Sequence, residues 1–167
     1  MLILQINNRV KLLVCICYHH YEDSKTLPLL FLNLQTIKEY KCDYKIVVHT
    51  NSNIAKELIY NSYPQVETIV VTKLEHPYHL TWKHREYIKE HLDDFDVYMY
   101  TEDDVIIKYS QLVNYLETLR EVWPNYVPSF VRYEINDKDG EIYALHPQRI
   151  PLTTRNKQRH KNPDNRS

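Results

Sequence analysis

The chain has 167 residues, 43% hydrophobic and 26% charged, with 21 Lys and Arg against 22 Asp and Glu. That is one domain's worth of chain, enough for a core of its own, and the near-zero net charge gives no global pull toward nucleic acid or a charged membrane surface. A single glycine, Gly140, excludes both a Walker A loop and a G-x-G-x-x-G fingerprint, which need several glycines to bring backbone close to phosphate.

A phosphate-bearing ligand would therefore have to be met by side chains, a metal or helix N-termini. The three cysteines, Cys15, Cys17 and Cys42, are odd in number and contain no C-x-x-C. Neither a disulfide framework nor a zinc site is indicated, and a reducing, cytoplasmic setting is expected. Residues 1–10 read as an N-terminal extension. Gln5, Asn7, Asn8, Arg9 and Lys11 interrupt any signal-peptide pattern. No segment reaches the ~20 apolar residues of a membrane span.

From Lys11 to Cys17 the chain is almost wholly apolar, which predicts a central strand covered on both faces, with Cys15 and Cys17 in the core. Tyr18–Asp23 is a polar, aromatic loop. Leu27, Leu30, Leu34 and Ile37 recur at helical spacing, with Ser24 or Thr26 as cap and Pro28 in the first turn. Tyr44–His49 predicts a second strand, and Asn51–Tyr60 a short helix capped by Asn51, Ser52 or Asn53. Val66–Thr72 predicts a third strand, His79–His91 a helix, and Phe95–Thr101 a fourth strand. Leu112, Leu116 and Leu119 mark a helix over Tyr109–Arg120. Pro128–Glu134 and Glu141–Leu145 predict a hairpin around Asp139-Gly140. The alternation implies an α/β fold: a Rossmann-like, mainly parallel sheet with helices on both faces and a C-terminal β-hairpin. Residues 151–167 are expected to form a disordered basic tail. From Thr153 onward there is no apolar residue, and five Lys and Arg stand against one Asp.

Glu102-Asp103-Asp104 follows directly on the fourth strand. Three adjacent carboxylates repel one another and raise each other's pKa unless a positive charge sits among them. A divalent cation, which takes oxygen ligands and a bound phosphate, satisfies that need. The loop beyond the carboxyl end of a strand is also where open α/β sheets bind ligands. The plain alternative is a solvated turn whose carboxylates cap the next helix. Other residues carry milder signals. His76, His79 and His84 are spaced by three and five, not the four of a helical zinc pair. Trp82 and Trp123 read as packing residues. Arg132 and Glu134, two apart, share a strand face, either as a structural pair or facing a ligand.

Over residues 11–150 this pattern resembles the nucleotide-sugar-binding half of a GT-A glycosyltransferase, of the Glu-Asp-Asp type seen in the N-acetylglucosaminyltransferase I group. Three features carry the resemblance: the triplet after its aromatic-rich strand, the Val105–Leu116 segment behind it, and the Phe130–Gly140 strand and turn. It implies Mn²⁺ or Mg²⁺ held by Asp104, with Glu102 and Asp103 reaching the ribose or metal-bound waters. It implies Tyr18, His19, His20 and Tyr21 around the base and ribose, and His84 and Arg85 as basic residues near the donor. A sugar would pass from a nucleotide-sugar donor to a sugar or protein acceptor. Such folds usually continue past the second half of the sheet. The expectation is therefore a metal-dependent glycosyltransferase or its donor-binding half. No catalytic base is assigned. Glu134, Asp137 and Asp139 are the carboxylates nearest a strand end, and none matches the family's base by position. A metal-dependent phosphotransferase or hydrolase, drawing a second acidic pair from Glu22 and Asp23, is an alternative. A non-catalytic nucleotide-sugar-binding module is another.

Overall fold

A computed structural model describes residues 10–21, 26–135, 140–144 and 150–151. Glu22, Asp23, Ser24, Asp137, Asp139 and residues 152–167, with all but Val10 of the N-terminal extension, lie outside that set. The chain divides into two compact units, 1–117 and 118–167.

The first unit is a four-stranded, all-parallel sheet in the order β3-β2-β1-β4. Its strands are β1 (Lys11–Tyr18), β2 (Asp43–Thr50), β3 (Glu67–Val70) and β4 (Val97–Glu102). Helices α1 (Leu27–Lys38), α2 (Asn53–Ser62) and α3 (His84–Glu90) connect them. Helix α4 (Tyr109–Val122) follows β4 and runs across the boundary between the units.

β1 explains the layering. Every residue from Leu12 to Tyr18 is buried. Side chains alternate across a strand, so this run feeds two cores at once. Leu12, Val14, Ile16 and Tyr18 pack with Leu30, Leu34 and Ile37 of α1, Ala55 and Ile59 of α2, and Leu112 of α4. Leu13 and Cys15 face the other way, with Val47 and with Tyr87 and Ile88 of α3. Helices thus cover both faces, as expected. Each fully buried Leu or Ile contributes about 1.5–3 kcal/mol, so the 30, 34 and 37 positions of α1 suffice to dock that helix.

The chain after β3 departs from expectation. The single helix expected over His79–His91 is a 3-10 helix, Pro77–Trp82, followed by the short α3. Pro77 opens the 3-10 turns, and the His76 ring accepts from the Tyr78 backbone N–H. Leu80 alone of that segment is fully buried. In consequence Trp82 is exposed, as is Trp123 in the second unit, and neither is a packing residue. At α1 the capping position is Thr26, without a side-chain cap. At α2 it is Ser52, whose hydroxyl accepts from the Ala55 N–H at 3.3 Å.

The second unit holds an antiparallel sheet, β5 (Tyr133–Ile135), β6 (Ile142–Ala144) and β7 (Ile150–Pro151), in that order. The hairpin is present, but its strands are shorter than the sequence suggests and β7 extends it. Arg132 immediately precedes β5, and Glu134 lies within it. Gly140 takes φ +69°, the left-handed conformation that glycine adopts without strain. Among the described residues no helix is long and apolar enough to cross a membrane.

Candidate functional site

The strand order fixes where a ligand site can form. From β1 the chain moves outward through β2 to β3, then returns across the sheet to β4 on the far side of β1. The carboxyl ends of β1 and β4 are therefore the point where the winding direction changes, and connections there diverge to leave a crevice. Cys17 pairs with His49 on one side and Glu102 on the other, so the ends of β2, β1 and β4 are level.

The acidic triplet begins at that level. The Asp103 N–H donates to the Cys17 carbonyl at 3.2 Å, and the Val105 N–H closes a turn on the Glu102 carbonyl, also at 3.2 Å. Two side chains clamp this turn. Asn33, buried on α1, donates its amide to the carbonyls of Glu102 and Val105 at 3.1 and 3.0 Å. Thr101 donates its hydroxyl to the Val105 carbonyl at 3.0 Å.

A cavity of about 460 Å³ opens over this turn. Glu102, Asp103 and Cys17 contribute from the strand ends, His19 and Tyr21 from the loop after β1, and His76, Pro77, Tyr78 and Thr81 from the segment between β3 and α3. The structure therefore joins four of the sequence-predicted residues, His19, Tyr21, Glu102 and Asp103, in one pocket.

The others stand elsewhere. Tyr18 is buried in the α1 and α2 core, its hydroxyl 3.1 Å from His20 Nδ1. His20 is fixed by Asn51, which accepts from its N–H at 2.7 Å and donates to its carbonyl at 3.1 Å. Arg85 is exposed, its guanidinium 6.0 Å from the Trp82 ring. His84 stacks on Tyr100, ring centres 3.9 Å apart, and burial lowers its pKa. Asp104 is exposed and is not among the residues lining the cavity.

The electrostatics single out Asp103. Burial pushes its pKa up to about 6, with the charges of Asp104 and Glu102 adding to the effect. Hydrogen bonds from its own backbone and from the Thr26 hydroxyl act against that rise. Burial, and next to it the charge of His20, lowers the pKa of His19, whose Nδ1 is buried without a hydrogen-bond partner. Burial also pushes the Cys17 thiol up to about 12, with Asp103 and Glu102 contributing, so the pocket presents a thiol and not a thiolate.

Among the described residues no three His, Cys, Asp or Glu side chains converge to cage an ion. The donor set fits a different mode. A hard cation that keeps waters needs only one or two carboxylates, the rest of its shell coming from a ligand's phosphate oxygens. Glu102 and Asp103, adjacent on a fixed turn and facing one cavity, are such a pair.

Sequence reasoning missed His76, Tyr78 and Thr81. Their signal is faint: a proline flanked by aromatic side chains in the connection that returns the chain to the switch point. Another cavity, of about 440 Å³, lies at the ends of β2 and β3 and is lined in part by His49, Lys73, Lys83 and Glu90. No protein-family model matches the chain, and no curated protein matches it either.

Proposed function

We propose that the chain binds a nucleotide-sugar donor through a divalent cation, as the donor half of a GT-A glycosyltransferase does, and serves transfer of the sugar to an acceptor. One observation carries the reading. Two adjacent carboxylates, one half-buried, face an aromatic-lined cavity at the switch point of a parallel sheet. Glu102 and Asp103 would hold the ion, while Asp104 adds charge beside them. Tyr21 and Tyr78 offer flat faces to a base or sugar, and His19, uncharged at neutral pH, adds a polar wall. When bound, the cation neutralises the donor diphosphate as it departs. In transfer, the acceptor oxygen bonds to the anomeric carbon. The bond from that carbon to the diphosphate oxygen breaks, its electron pair leaving with the diphosphate, and the acceptor hydroxyl gives up its proton to solvent water. Calorimetric titration with UDP- and GDP-sugars, with and without Mn²⁺, tests the reading. Saturable binding that needs the metal is expected, and no binding of either donor class under any metal would refute it.

A second reading, donor binding without turnover, has its own support. Among the residues lining the cavity the carboxylates are Glu102 and Asp103, and both would be taken up in holding the ion. Neither is then free to take the acceptor's proton. Donor binding with no transfer to any acceptor tried would favour this reading.

A further inference from the structure

The segment between β3 and α3 carries a ladder of planar side chains. In a 3-10 helix residues three apart eclipse one another. His76, His79, Trp82 and Arg85 stand at that spacing. Ring centres of His76 and His79 are 6.0 Å apart and those of His79 and Trp82 5.2 Å, and the Arg85 guanidinium lies 6.0 Å from the Trp82 ring. Tyr78 stacks on His76 at 5.0 Å.

One end of the ladder is in the pocket, which His76 and Tyr78 line; the other runs onto α3. Tyr78 is 73% exposed and Trp82 55%. The segment has an apolar side chain to bury, Leu80, and buries it, so the exposed aromatics are not a failed core. Their neighbours hold them in place, so a ligand landing on them would cost little further side-chain entropy. Moreover, a cavity of about 460 Å³ is the size of one small-molecule site. A second substrate must reach it over the rim, and the ladder is rim.

Charge and hydrogen-bonding chemistry choose the occupant. Glu102 and Asp103 stand at the pocket end, which opposes a polyanion such as a nucleic-acid strand there, while along the ladder the charge of Glu86 is met by the Lys83 ammonium at 3.1 Å. A neutral sugar chain suits both features. Its pyranose rings present flat C–H faces to aromatic rings, and its hydroxyls donate to carboxylates, which only accept.

We propose that Tyr78 and Trp82 form a binding track for a neutral oligosaccharide, leading into the pocket. The identification of that glycan as the acceptor rests on the donor reading above; its binding does not. The test uses the full chain in a Trp123→Phe background, where Trp82 is the remaining tryptophan. Neutral tetrasaccharides of β-linked glucose, β-linked N-acetylglucosamine and α-linked mannose are titrated while Trp82 fluorescence is followed, and calorimetry measures Trp82→Ala and Tyr78→Ala. At least one tetrasaccharide is expected to shift Trp82 emission saturably without nucleotide or metal, and each substitution to weaken it tenfold or more. If none of the three binds, or if Trp82→Ala binds equally well, the track is overturned. The same holds if a single-stranded RNA decamer, and no glycan, moves the Trp82 signal. Nucleotide-sugar titration of the same samples separates the two claims. Donor binding without glycan binding removes the track alone, and glycan binding without donor binding upholds the track while removing the donor reading.

Discussion

The side-chain amide of Asn33, on α1, donates to the carbonyl oxygen of Glu102 at 3.1 Å, across 69 positions of sequence. Its second bond, to the Val105 carbonyl, spans the acidic turn from one side to the other. A buried amide inside an apolar helix face is costly unless it is fully used, and this one is used to hold the backbone on which the carboxylates stand. Shape and charge of the site thus depend on a residue that does not line the pocket.

Asn33→Leu should therefore do two things. Losing both hydrogen bonds should cost roughly 1–3 kcal/mol, the two carbonyls keeping their bonds from the Val105 N–H and the Thr101 hydroxyl. Urea unfolding measures that cost. Metal-dependent donor affinity should also fall at temperatures where the variant is still folded, because the turn is no longer held. A variant with unchanged unfolding midpoint and unchanged donor affinity would show that the turn holds itself.

Thiol reactivity tests the placement of β1. Cys15 and Cys17 are buried, and burial pushes both thiols up to about 12, so neither supplies thiolate at pH 8. Cys42 is only half-buried. A disulfide reagent should modify Cys42 first, and reach the other two only as the chain unfolds. Rapid reaction of Cys15 in the native protein would mean that β1 is not the central strand.

How far these features can be read from sequence depends on how local their causes are. β1 is legible because a strand-length apolar run has few other fates. The triplet is legible as a strand end because Met99 and its neighbours stop being apolar there. What places Tyr78 and His76 over the pocket is not local, since it follows from the β3-to-β4 crossover carrying its connection across the sheet. Asn33 gives no signal either, because an amide among leucines is unremarkable until its two acceptors arrive from some 70 residues away. Trp82 is misread for the opposite reason. Size argues for burial, but three-residue periodicity with His76, His79 and Arg85 puts it on the outside.

Acid should weaken the fold through His49. The residue is 3% exposed with its Nδ1 unpartnered, and burial lowers its pKa from 6.5 to about 4. The charges of His84 and Lys83 lower it further, those of Glu67 and Glu86 raise it, and the Tyr87 ring lies edge-on at 6.0 Å. The unfolded chain accepts its proton near 6.5, the folded chain near 4. His49 stability is thus fully present above pH 6.5 and is lost as pH falls through that window, by up to about 3 kcal/mol. Urea unfolding of wild type and His49→Leu from pH 7 to pH 4 isolates this share from other titrating groups. The stability of wild type relative to His49→Leu should fall by about that amount as pH falls from 7 to 4. Parallel curves would mean that His49 does not enter the fold as a buried neutral ring.

The carboxylates can be ranked by where they point. By resemblance Asp104 would be the metal ligand, but Asp103 and Glu102 are the ones that face the cavity, and Asp104 is exposed. Removing a ligand's charge from inside the pocket removes both a coordination site and the screening of the donor diphosphate, whereas removing an outer charge changes only the surrounding field. Asp103→Asn should therefore reduce Mn²⁺-dependent nucleotide-sugar affinity by tenfold or more, and Asp104→Asn by only a few-fold. Neither should unfold the protein, and Asp103→Asn should stabilise it at pH 7, because its ionised carboxylate is held there against its burial. Calorimetry with and without Mn²⁺, together with thermal unfolding of the two variants, decides the matter. The reverse ranking would return the ligand role to Asp104 and require the turn to rotate on binding. Equal affinity for both variants and wild type would remove the triplet from the site altogether.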